Sequence, residues 1–150
     1  MKYKQIIKYS ILPCLIIILS LSMFLSCNKY KEILSDVSKI KIIIYMREEN
    51  YINREDYFIE ITDIKEIKII SQYITNISSP SYKCGYNGGI EFYCKNDNVL
   101  LEAEFNSDCN TIVFVYDDKS YRRRISNKGI KYITTIIKEI EEKTGKKNYL

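Results

Sequence analysis

"GGIEFYCKNDNVLLEAEFNSDCNTIVFVYDDKSYRRRIS", residues 88–126, reads as strand after strand. Apolar side chains recur along it at period two, and polar turn-formers interrupt it at "KNDN" (95–98) and "DDKS" (117–120). Such alternation between turn clusters predicts four neighbouring strands, over about 88–95, 99–106, 111–117 and 120–126. Upstream, "SKIKIIIYMR" (38–47) places Ile40, Ile42, Ile44 and Met46 on one face in a β-branched run. "EEN" (48–50) turns the chain and "YINREDYFIEIT" (51–62) returns it as a second strand.

The period then changes. "DIKEIKIISQYITNI" (63–77) sets Ile64, Ile67, Ile70, Ile74 and Ile77 at helical spacing. Asp63 with Glu66 opens this helix as a capping box, and "SSPS" (78–81) closes it. "SNKGIKYITTIIKEIEEKTG" (126–145) is a second amphipathic helix with Ile130, Ile133, Ile137 and Ile140 inward. Ser126 or Asn127 caps its start and Gly145 its end. The expected fold is α+β, in the order ββαββββα. Its mostly antiparallel sheet buries both helical stripes on one face.

Composition limits the function classes. At 150 residues there is room for one domain, and 46% hydrophobic with 28% charged residues is ordinary for a globular chain. Histidine is absent. That excludes Ser-His-Asp and Cys-His units and every zinc site that needs imidazole. Acid–base work would fall to Asp, Glu, Lys, Tyr or Cys, whose ordinary pKa values lie further from neutrality.

The amino-terminal stretch is of another kind. "MKYKQIIK" (1–8) carries three lysines and no acid, and "ILPCLIIILSLSMFLS" (11–26) carries no charge. A basic start before a short apolar run is the organisation of a secretory signal peptide. The run is shorter than the ~20 residues a helix needs to cross a bilayer. It ends at "FLSC" (24–27), with small Ser26 before Cys27. In these first ~27 residues the chain resembles the precursor of a bacterial lipoprotein, although Phe24 stands where that family usually has an aliphatic residue. The resemblance implies removal of residues 1–26 and diacylglycerol on the Cys27 sulfur. A bacterial membrane then holds the protein at the cell envelope, on a periplasmic or surface face. Cleavage after Ser22, releasing a secreted protein, is the alternative; an uncleaved anchor is another. Residues 27–37 then form a polar tether and 38–150 a single domain.

Processing removes Lys2, Lys4 and Lys8 from a chain of net charge +4, leaving 20 basic residues against 19 acidic ones. A near-neutral domain gives no support for nucleic-acid binding.

Three cysteines follow Cys27: Cys84, Cys94 and Cys109. With the hairpin turn centred on Asp97, opposing residue numbers sum to about 194. Cys94 then faces Leu100, and Cys84 lies at the open end beside Cys109, which makes Cys84–Cys109 the expected disulfide. Three reduced thiols are the alternative. Gly85, Gly88 and Gly89 precede no Lys-Ser/Thr pair and no helix, so a bulge or tight turn is expected there, not a phosphate loop. Asp117-Asp118 and Glu55-Asp56 lack calcium-loop spacing.

Tyr86, Tyr93, Arg122 and Arg124 are the candidate binding surface, as aromatic and cationic residues on or beside strands. A solvated strand face is the simpler account of the arginines, as amphipathic sheet positions are of the tyrosines. Glu91, Glu102 and Glu104 alternate on strands, either converging as paired carboxylates or facing solvent. No catalytic constellation, metal set or cofactor motif stands out. The expected function is a non-catalytic binding or accessory module with an envelope or extracellular protein partner. The alternatives are an enzyme using carboxylate or tyrosine chemistry, or a structural surface lipoprotein without a specific ligand.

Overall fold

The computed structural model describes residues 29–47, 54–81 and 84–148. The signal segment 1–26, Cys27 and the expected turn at 48–50 lie outside the described residues. The chain divides into two units, 1–32 and 33–150. Of the first, residues 29–32 are described, within helix α1 (Lys29–Leu34). The second carries strands β1 (Lys39–Arg47) and β2 (Arg54–Ile61), helix α2 (Ile64–Ser71), and strands β3 (Ile74–Ser78), β4 (Gly88–Tyr93), β5 (Val99–Asn106), β6 (Thr111–Tyr116) and β7 (Lys119–Ile125). Helix α3 (Asn127–Thr144) follows.

The seven strands form one antiparallel sheet in the order β2-β1-β4-β5-β6-β7-β3. Consecutive strands β4 to β7 pair as neighbours, while β1 sits between its hairpin partner β2 and β4. Ile40, Ile42, Ile44 and Met46 are fully buried, as their period-two spacing predicts. Across the sheet their face continues through Ile90 and Phe92, Leu101, Ala103 and Phe105, and Ile112 and Phe114. Burying each such side chain stabilises the fold by roughly 1.5–3 kcal/mol. Ile70 of α2 and Tyr132 and Ile133 of α3 line a void of about 10 Å³ together with Ile42, Ile90, Phe92, Ile112 and Ile125. At the start of α3, Gly129 lets the helix lie against Tyr73 and Ile125, where an added Cβ would come within 2.8 Å of both.

The caps follow the sequence closely. Asp63 Oδ1 accepts from the backbone N–H of Lys65 and of Glu66, both at 2.9 Å. The capping box is only half made, because the Glu66 carboxylate instead accepts from Tyr132 Oη of α3, at 2.9 Å. Ser126 Oγ accepts from Gly129 N–H at 3.2 Å, and Gly145 closes α3 at φ 69°.

Three expectations need correction. The element order is αββαβββββα, because the helix expected over 63–77 stops at Ser71 and Ile74–Ser78 is a strand. Ile64 and Ile77, expected inward, are exposed. The β-branched "ITNIS" run lies beside β7, with Ile74 opposite Ile125, and so covers an edge that α2 would have left open. Second, opposing numbers in the β4–β5 hairpin sum to 193, setting Ile90 against Ala103 and Phe92 against Leu101. A sum of 194 would have set apolar side chains against glutamates. The register shifts only between Phe92 and Tyr93, next to a turn held by Asp97 at φ 57°.

Third, Gly88 and Gly89 lie inside β4 and make neither a bulge nor a turn. A Cβ on Gly88 would collide with the Ile43 carbonyl and the Phe105 ring, so the strand is glycine there to allow close packing.

Candidate functional site

The second face of the sheet carries the side chains that alternate with the core. From β2 to β7 one row runs Phe58, Ile43, Gly89, Glu104, Val113 and Arg122. A parallel row runs Glu60, Lys41, Glu91 and Glu102. Over β1, β4, β5 and β6 this face holds a groove of about 610 Å³, lined among others by Ile43, Tyr45, Glu91, Glu102, Glu104, Val113 and Val115. Gly89 sets its floor. A Cβ there would stand 3.2 Å from Tyr45 Oη, so the missing side chain gives the tyrosine room over β4.

Beside the groove, charges and rings are bound together around Glu91, which lines it. Lys39 Nζ pairs with Asp97 Oδ1 at 2.7 Å and lies 4.4 Å from the centre of the Tyr93 ring. Tyr93 Oη donates to Glu91 Oε2. Lys41 Nζ stands 3.6 Å from that same oxygen and 4.7 Å from the centre of the Phe58 ring. The hydrogen bond to the Glu91 carboxylate first, then burial, then the charge of Glu91, push the Tyr93 phenol up to about 12. Lys39 is likewise raised, chiefly by its hydrogen bond to Asp97. A phenol so raised is protonated at neutral pH and is a poor general base.

The groove beyond Glu91 is different. Glu102 faces Glu91 directly across the β4–β5 pair, and neither Glu102 nor Glu104 makes an ion pair among the described residues. Exposed Val99 and Val115 stand beside them, and exposed Phe58 lies on the same face. Three of the six exposed large hydrophobic side chains among the described residues therefore share one face with an uncompensated pair of carboxylates.

The residues singled out from the sequence do not form one cluster. Tyr93 and Arg122 share the open face, but β5 and β6 separate their strands, a spacing of roughly 14 Å. Arg124 lines a separate hollow of about 420 Å³ with Ser79, Asp108, Cys109, Asn110 and Asn127. Tyr86 is half-buried in the loop before β4. Glu91 and Glu102 stand opposite each other across the β4–β5 pair and line the groove with Glu104, while Glu102 and Glu104 remain exposed to solvent on the face opposite the core. The sequence reading did not single out Tyr45, Phe58, Val113 and Val115. Their signal was present as apolar side chains at the outward positions of β1, β2 and β6, where a solvated strand face is polar.

Cys84 and Cys109 form a disulfide, and Cys94 is a free thiol. Among the described residues no group of three or more Cys, Asp or Glu could hold a metal ion. No helix among them is long and apolar enough to cross a membrane. No protein-family model, curated protein or solved structure matches the chain.

Proposed function

We propose that this chain is a cell-envelope lipoprotein, held by diacylglycerol on Cys27, whose α+β head binds a partner protein without catalysis. Helices α2 and α3 cover one face of the sheet, and the other face is the binding surface. The groove carries this reading: exposed Val99 and Val115 stand beside Glu102 and Glu104, whose charges are not offset within the described residues. A partner surface that fits is apolar with basic side chains, since burial of the valines and neutralisation of the glutamates would then occur together. The Cys84–Cys109 disulfide supports export, because such bonds persist in oxidising compartments. Glu91 is already engaged by Tyr93 and Lys41, which weighs against Glu91 and Glu102 acting as a pair of free catalytic carboxylates.

Two measurements test this. Cys27→Ala is expected to abolish fatty-acid labelling and release the domain from membranes; labelling that persists refutes the anchor. A photo-crosslinker placed at Val115 in intact cells is expected to give a discrete adduct, and one at Ile69, exposed on α2, none. Equal adducts from the two sites would refute the groove as the binding surface.

A further inference from the structure

A second hollow, of about 790 Å³, lies where the tether enters the domain. Leu34, Val37 and Ile67, all buried, form its apolar floor, and Ile64 at its lip is 53% exposed. The exposed lysines Lys68 and Lys95 stand at the same opening. One acid, Asp36, also lines it, leaving the lining cationic by one charge. An apolar floor with cations at the mouth matches a hydrocarbon chain carrying an anionic head.

We propose that this hollow takes an acyl chain of an anionic membrane phospholipid. The proposal rests on the reading of Cys27 as the lipidated residue. Leu34 lies seven positions after Cys27, a reach of at most ~25 Å, so a lipid on Cys27 keeps the hollow close to the bilayer surface. Near an anionic surface each lysine adds about 1 kcal/mol, close to a fivefold gain in binding. The hollow thus gives the head a preferred orientation, with the open sheet face left to its partner.

The test uses the acylated full chain in vesicles of phosphatidylglycerol and phosphatidylcholine that contain a phosphatidylglycerol with a diazirine in its acyl chain. Cross-links are expected in the peptides covering 33–38, 64–68 and 94–96. Lys68→Glu combined with Lys95→Glu is expected to lower them roughly tenfold or more. Both lysines are exposed, so folding and the disulfide stay intact. Cross-links confined to the residues next to Cys27, or unchanged in the double variant, overturn the proposal while leaving the anchor standing. A mature chain whose mass shows no acyl group overturns the anchor. Labelling of the hollow in that chain would still uphold lipid binding there.

Discussion

Removing the Cys84–Cys109 bridge is a quantitative test of how the sheet is held at its open end. The bridge spans 25 residues of sequence. On the chain-entropy relation, opening a loop of that length releases about 3.5 kcal/mol of unfolded-state entropy at 25 °C. The folded state does not need the bond to place its partners. Buried Asn106 donates from Nδ2 to the Gly85 carbonyl at 2.6 Å, and its Oδ1 accepts from Cys109 N–H at 2.7 Å. Buried Asn87 accepts from Ser107 N–H at 2.7 Å and donates its own N–H to the Phe105 carbonyl at 2.9 Å. These bonds hold the 84–87 loop to the β5–β6 turn without the sulfurs. The Cys84→Ser, Cys109→Ser double variant is therefore expected to fold, lose about 3 kcal/mol, and melt roughly 10 °C lower. Its urea dependence should steepen, since the uncrosslinked chain exposes more surface on unfolding. The assay is urea and thermal denaturation, with a non-reducing peptide map to show that Cys94 is unbridged. A variant within about 1 kcal/mol of the parent, with an unchanged urea slope, would refute the unfolded-state account.

Other outcomes follow from single contacts. Gly88→Ala is expected to cost about 2–3 kcal/mol, because its Cβ meets a backbone carbonyl and a buried ring, whereas Gly89→Ala meets only Tyr45 and costs under ~1 kcal/mol; equal losses on denaturation would contradict this packing. Tyr93 is expected to titrate near 12, and Glu91→Gln to bring it back toward 10.0, followed by ring resonances in NMR. Since the folded value is the higher one, the stabilisation is complete below about pH 10 and is lost as the pH rises through about 12. Glu102→Gln is expected to stabilise the free domain by about 0.2–1 kcal/mol, by removing a like charge opposite Glu91, while weakening the Val115 adduct; a gain in both would remove the glutamate from the binding surface.

Much of the fold was legible because local pattern and tertiary need agreed. The period-two run Ile40 to Met46 and the α3 stripe with its Ser126 and Gly145 caps are strong signals that packing only reinforces. The pattern failed at Ile74 and Ile77, whose spacing from Ile67 and Ile70 suits a helix. Partnership with β7, distant in sequence, made that stretch a strand. Gly88 and Gly89 were misread for a related reason: glycine is selected there by Ile43, Tyr45 and Phe105, none of them a sequence neighbour. The disulfide was legible despite a register error of one, because Cys84 and Cys109 lie beyond the strand ends, where hairpin topology decides more than parity.

The groove was harder to read because its meaning depends on sheet order. Glu91 and Glu102 become opposed only once β4 and β5 pair in their observed register, and β1 brings Lys41 to Glu91, while no cation among the described residues pairs with Glu102. Directly opposed like charges destabilise a sheet. A fold with no use for this face would gain by making Glu102 neutral or Val115 polar. Both instead work against the free domain, one through repulsion and the other through 65% exposure of an apolar side chain. A basic, apolar partner relieves both at once. Local rules broken together on one face, and kept on the other, are where a fold yields stability to function.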